Sequence, residues 1–174
     1  PQNPHPLFLE DSKALIMFDE TSCHFLEKGD YGREDIKSND PSRVLSRIRE
    51  VKSSIQSDQN FAHLNQAVIS RGALQSAALL IGLAQKMLDL SSAYVLDRKQ
   101  FGKPIGSFQA VKHMLADVAV AIEFARPAIY RASYSLFDNN SKSALHCAHA
   151  KYMAVKAAEL ACKNSIQAHG AMGY

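Results

Sequence analysis

Cysteine is scarce in this chain: Cys23, Cys147 and Cys162 are the only three among 174 residues, and none sits in a CxxC spacing. An odd, widely separated set excludes a disulfide scaffold and a cysteine-built zinc site, and fits a reducing compartment. Charge of one sign is lacking too. The 20 basic residues are offset by 17 acidic ones, the net charge is +3, and the basic residues are scattered along the chain. That excludes the clustered basic face of a nucleic-acid binder. No apolar run approaches the ~20 residues that span a bilayer, so no membrane span is expected. No GxGxxG, P-loop or Ser-His-Asp arrangement appears, and the first residues lack a signal-peptide pattern. A chain opening on Pro1 is expected to be processed, truncated or partly observed. Apolar residues at 47% and the length of one domain allow a proper core without staples.

The first ten residues carry three prolines and read as an extended arm. Residues 14–18 are a short continuous apolar run, the pattern of one buried strand, and the polar, glycine-punctuated residues 20–39 read as loop. Asp40 and Pro41 make a good helix start. Val44, Ile48, Val51 and Ile55 then follow at helical spacing, which predicts an amphipathic helix over 41–56 with Arg43, Arg47 and Lys52 on its solvated face. Residues 1–60 are thus expected to hold an arm, a short strand and one helix.

From Phe61 onward the periodicity is strong and proline is absent until Pro104. Leu64, Val68, Leu74, Ala78, Ile81, Leu88 and Val95 predict one helix of ~35 residues, ~50 Å long at 1.5 Å per residue. Gly102, Pro104 and Gly106 end it, and Ser107 is the expected N-cap of a second helix over 108–137. Val111, Leu115, Val118, Ile122, Ala125 and Ile129 line that helix, which Pro127 is expected to kink. Residues 138–141 read as a turn. A third helix over 143–168 is expected to bury Leu145, Tyr152, Val155, Leu160 and Ile166 and to stop at Gly170. The expected fold class is all-α, an up-and-down antiparallel bundle over 61–174 after an irregular N-terminal segment. Three helices leave one flank open, so a fourth helix or another subunit is expected to cover it.

The chemistry concentrates where the first two helices join, in Tyr94-Val95-Leu96-Asp97-Arg98-Lys99-Gln100-Phe101-Gly102-Lys103-Pro104-Ile105-Gly106-Ser107-Phe108-Gln109. Arg98 in a last helical turn has two readings: a cation favoured by the helix dipole, or a planar guanidinium that grips a phosphate bidentately. Phe101 suits a core or a flat cofactor ring, and Gln109 suits solvent or a ligand. His146 and His149 lie three apart on one face, without a carboxylate at matching spacing. They read as ordinary bundle histidines, and no metal site is expected.

Taken together, this stretch resembles the signature of the flavin-dependent acyl-CoA dehydrogenases, in the C-terminal helical domain of that family. The resemblance implies that Arg98, Gln100, Phe101, Phe108 and Gln109 reach across a subunit interface to FAD bound mainly by a neighbouring subunit. A second family signature, Gln-x-x-Gly-Gly-x-Gly, resembles Gln167-Ala168-His169-Gly170-Ala171-Met172-Gly173. It implies further FAD contacts from Gln167, Gly170 and Ala171, the last standing where the family has a second glycine. The resemblance covers about residues 62–174.

The implied activity is α,β-dehydrogenation of an acyl-CoA thioester, with FAD taking the hydride and an electron-transfer flavoprotein downstream. A homo-oligomer (dimer or tetramer) or a heteromeric partner subunit is implied as well. So is a cytoplasmic location in a bacterium, or the mitochondrial matrix or a peroxisome in a eukaryote. Such a reaction needs a carboxylate base. The family carries it either in a loop beyond Tyr174 or on the first bundle helix, where this chain reads Ile69-Ser70-Arg71-Gly72-Ala73. No catalytic residue is therefore assigned, and Arg71 is the candidate for the family's CoA-facing arginine, though its commoner use is on a helix surface. The isolated chain is expected to be inactive. A non-catalytic helical subunit of the same fold, stabilising a partner, is the alternative.

Overall fold

The structure is a computed structural model that describes residues 12–18, 23–40, 42, 44–52, 55–57 and 62–173. The chain divides into two compact units, residues 1–66 and 67–174.

The first unit is built of strands. β1 (Ala14–Phe18) pairs antiparallel with β2 (Cys23–Glu27), and β2 pairs with β5 (Ile55–Ser57). β3 (Tyr31–Ile36) and β4 (Leu45–Val51) form a second antiparallel pair. The strand expected at residues 14–18 is present, but residues 20–39 are not simply loop, and residues 41–56 are not a helix. β4 explains the second correction. Ser46 and Ile48 are buried while Arg49 stays exposed, so its side chains alternate with the period of two that suits a strand. Arg49 crosses to Glu34 at 2.7 Å and Ser46 Oγ donates to Asp35 at 2.9 Å, partners that a helix at this place would lack. The hydrogen bond from Arg49 holds the exposed Glu34 carboxyl below its ordinary range. Asp40, read as a helix cap, instead accepts from the Ser42 backbone N–H and hydroxyl in a tight turn.

The second unit is a three-helix bundle: α1 (Ala62–Asp97), α2 (Gln109–Phe137) and α3 (Ser143–His169). Pairs of contacts give the directions. Arg126 on α2 donates to Gln85 on α1, while Gly106, just before α2, packs on Val95 near the end of α1, so α1 and α2 are antiparallel. Asn164 bonds the Met114 carbonyl and Arg131 donates to His149, so α2 and α3 are antiparallel as well. Ser91 meets Ser165 and Tyr94 meets His169, so α1 and α3 run in the same direction. Pro127 lies inside α2, which continues through it to Phe137. Among the described residues, α1 is long and apolar enough to cross a membrane by length and composition, a test the sequence expectation had ruled out. Here its Ala77, Ile81 and Ala84 are buried in the bundle core.

The core differs from expectation on α3. Leu145, Tyr152, Val155 and Ile166 are exposed, and the buried stripe is Cys147, Ala150, Ala154, Ala157, Ala158 and Ala161. Alanine spaced three and four apart lets the helix axes approach closely, and that contact outcompetes the bulkier stripe on the other side. On α2 the expected Val118, Ile122, Ala125 and Ile129 are buried. His146 and His149 are each held by an α2 side chain, Ser135 and Arg131 respectively, and the described residues contain no group of three metal-ligating side chains.

Ala157→Leu is expected to destabilise the bundle by about 1–3 kcal/mol through overpacking, whereas Leu145→Ala stays within about 0.5 kcal/mol; urea unfolding monitored by circular dichroism reads both. Burial pushes the Cys147 thiol up from its ordinary pKa, while Cys162 is exposed. A maleimide is therefore expected to label Cys162 in the native protein and Cys147 only after unfolding, as mass spectrometry of the labelled peptides will report.

Candidate functional site

Arg98 follows the last residue of α1. Its backbone N–H donates to the Tyr94 carbonyl at 2.9 Å, and its carbonyl accepts from Ile105 N–H at 2.8 Å. Between those anchors the chain makes a minimal hairpin, with β6 (Lys99–Gln100) paired to β7 (Lys103–Pro104). The two tip residues both have positive φ, 53° at Phe101 and 79° at Gly102. That is the pattern of a type I′ turn, which matches strand twist but suits glycine and asparagine. Gly102 occupies it freely, whereas a bulky aromatic there is strained.

The Phe101 ring is nonetheless 90% exposed, and it meets the Phe108 ring edge-to-face at 6.2 Å between centroids. Lys103 Nζ lies 4.4 Å from the centre of the Phe108 ring, a cation–π contact. Gln100 donates to the neighbouring Lys99 carbonyl, and Gln109 opens α2 with its side chain exposed. Arg98 is exposed and has no ion-pair partner among the described residues.

Ser107 does not cap α2. It lies in a 3-10 turn (Ile105–Ser107) and donates to the Pro104 carbonyl, and Phe108 takes the cap position without a side-chain bond. The cause is Gly106. A Cβ there would come within 3.0 Å of the Val95 carbonyl, so the connection is drawn tight against α1 before α2 begins.

At the far end of the sequence, α3 stops as expected at Gly170, whose φ of 59° and ψ of −135° suit glycine. The 3-10 turn Gly170–Gly173 then folds back, and a Cβ on Gly173 would sit 2.6 Å from the Ile166 carbonyl. Gln167 and Ala171 are exposed.

Two contacts bring this turn to the end of α1 that carries Arg98, and a third, within α3, orients one of the rings. Ser91 Oγ donates to Ser165 Oγ at 2.8 Å, and Ser91 is fully buried. One turn on, the Tyr94 and His169 rings stack at 4.3 Å and 26°. His169 Nδ1 lies 2.8 Å from the Ser165 carbonyl, where its N–H donates. Tyr94, His169, Ser91 and Ser165 were not singled out as partners from the sequence. Their spacings, 91 to 94 and 165 to 169, fall one helical turn apart on each helix and were the available signal. Arg71 stands apart: exposed on α1, it lies 27 residues before Arg98, or ~40 Å along the axis.

The family profile for the acyl-CoA dehydrogenase C-terminal domain matches residues 62–174. The chain belongs to the acyl-CoA dehydrogenase family. Among curated relatives, probable acyl-CoA dehydrogenase YngJ of Bacillus subtilis is 46% identical over 103 residues, 59% of this chain and 27% of that protein. The caffeyl-CoA reductase-Etf complex subunit CarC of Acetobacterium woodii is 40% identical over 103 residues, again 59% of this chain and 27% of that protein. The chain spans less than half the length of these relatives. The structure of a glutaryl-coenzyme A dehydrogenase in complex with glutaryl-CoA superposes with a TM-score of 0.82 at 25% identity, covering 99% of this chain and 49% of that one. The likeness to this family member thus reaches ahead of the bundle into the strands.

Phe101→Asn is expected to stabilise the bundle by about 0.5–1 kcal/mol, because Asn-Gly suits a type I′ turn and phenylalanine does not. Thermal unfolding followed by circular dichroism reads the gain.

Proposed function

We propose that residues 62–174 are the part of an acyl-CoA dehydrogenase that grips FAD bound mainly by a neighbouring subunit and builds the oligomer interface. The whole protein would desaturate an acyl-CoA thioester between its α and β carbons. The observation that carries this reading is the meeting of the two signature segments at one end of the bundle, locked by the Tyr94–His169 stack. Arg98, Gln109 and Gln167 present polar side chains outward there, with the Phe101 ring beside them.

Those residues suit an anionic dinucleotide. The Arg98 guanidinium has no competing carboxylate among the described residues and pairs with pyrophosphate oxygens. Gln100, Gln109 and Gln167 offer amides, and the turn at Gly170 and Ala171 lets the backbone approach a ligand without a bulky side chain, the Gly170 N–H itself being held by the Gln167 carbonyl. The strained, exposed Phe101 fits a ring kept for contact with a flat group, since strain of this kind collects at functional sites. When bound, FAD supplies the hydride acceptor.

The base is expected from another part of the protein. The only carboxylates on α1 are Asp89 and Asp97, and Asp89 accepts from Gln85. Arg71, ~40 Å from Arg98, would serve the CoA end of a different site, so one helix would link the substrate of one centre to the cofactor of another. Electrons would pass on to an electron-transfer flavoprotein, the kind of partner named for CarC. The exposed Leu79, Leu83 and Leu90 on α1, with Leu145 and Tyr152 on α3, suit burial by a further helix or subunit. The absence of a carboxylate beside Arg71 favours one second reading, a non-catalytic subunit of the same fold that stabilises a partner.

Arg98→Ala in the complete assembly is expected to weaken FAD binding about 10- to 100-fold with the helical signal intact, as befits loss of hydrogen bonds to a charged group. Titration of the apoprotein with FAD checks it, and an unchanged affinity sinks the cofactor assignment. Bleaching of the bound flavin by acyl-CoA separates the two readings, because a non-catalytic subunit leaves the spectrum unchanged.

A further inference from the structure

We propose that Tyr94 and His169 are a positioning pair: their stacked rings set the spacing between the Arg98 segment and the Gln167–Ala171 turn, so that both engage one cofactor. This rests on the FAD reading above and adds two residues to it that need not touch the ligand.

The groups that would touch FAD are held only from below. Arg98, Gln109, Gln167 and Ala171 are exposed, and no hydrogen bond or ion pair among the described residues holds their side chains to one another. Their relative placement therefore comes from the backbone beneath them. On the α1 side, Tyr94 accepts the Arg98 backbone N–H, so a shift of Tyr94 carries Arg98 with it. On the α3 side, His169 is the last helical residue before Gly170 reverses the chain, so its position sets where the turn begins.

Two contacts then fix His169. The imidazole N–H at Nδ1 donates to the Ser165 carbonyl, one turn back, which locks the ring direction. The ring face lies on Tyr94 at 4.3 Å, which locks its distance from α1. Below the stack, the half-buried Ser91–Ser165 bond ties the two helices together but fixes no angle beyond it. Among the described residues, no hydrogen bond or ring contact joins α1 to α3 beyond the stack.

The spacing between the helices requires the stacked ring faces, which a phenyl ring also supplies, while the Nδ1–H bond orients the imidazole along α3. His169→Phe and Tyr94→Phe keep the stack, while His169→Ala and Tyr94→Ala remove it. In the complete flavoprotein, FAD titration of the apoprotein by fluorescence quenching is expected to show three- to tenfold weaker binding for each alanine variant, a typical worth for an aromatic pair. The double alanine variant should be no weaker than either single one. Both phenylalanine variants should bind within about twofold of the parent. Urea midpoints measured without FAD separate positioning from general damage, and the phenylalanine variants keep the test open if an alanine variant fails to fold.

Parent-like binding by the alanine variants, or a His169→Phe variant as weak as His169→Ala, overturns the proposal. Arg98→Ala, measured in parallel, distinguishes the failures. If it also binds like the parent, the FAD reading falls and this one with it. If it binds weakly while the alanine variants do not, only the positioning role falls.

Discussion

The close approach of α3 to α2 through alanine governs the rest of this structure. Ala150, Ala154, Ala157 and Ala161 present almost no side chain to the core, so the helix backbones themselves set the geometry. With little side-chain bulk to accommodate, the register of α3 against α2 is tightly defined, and Asn164 pins it by bonding the Met114 carbonyl. That register decides where α3 ends relative to α1. The meeting of Ser91 with Ser165 and of Tyr94 with His169 follows from it, and so does the proximity of two segments far apart in sequence.

Much of this was legible in the residues. The three helices, the turn after Phe137 and the stop at Gly170 follow from periodicity and punctuation, and the family follows from the signature at 94–109 and its partner at 167–173. What was not legible has physical causes. Helix α3 is apolar on two sides, and sequence patterning favours the side with the larger residues, although close packing selects the smaller. Residues 41–56 satisfy helical spacing through Val44, Ile48, Val51 and Ile55, yet pairing with β3 offers partners that no local pattern announces. Ser107 is the right residue type for a cap, but the fit of Gly106 against Val95 turns it away from the helix.

The candidate site was legible as a set of residues and not as a place. Arg98, Gln109 and Gln167 stand out by type, and the expected up-and-down order already runs α1 and α3 in the same direction, yet nothing in their spacing says that the two helices finish together. The contacts that make it a place come from Tyr94 and His169, whose residue types are unremarkable in a helix. Phe101 is the converse case. Its type suggests a core, whereas its positive φ and exposure put it at a hairpin tip.

The way these helices begin has a bearing on folding. None carries an acidic residue in its first turn, α2 starts at Phe108 without a side-chain cap, and just ahead of α3 the Asn140 side chain accepts from the Lys142 N–H. Local signals worth about 1 kcal/mol each are thus sparse at the places where a helix would nucleate by itself. Isolated segments of this region would hold little helix, and order would arrive only as the alanine faces dock. The bundle should consequently gain and lose its structure in one cooperative step, with the helix starts the first places to open to solvent exchange.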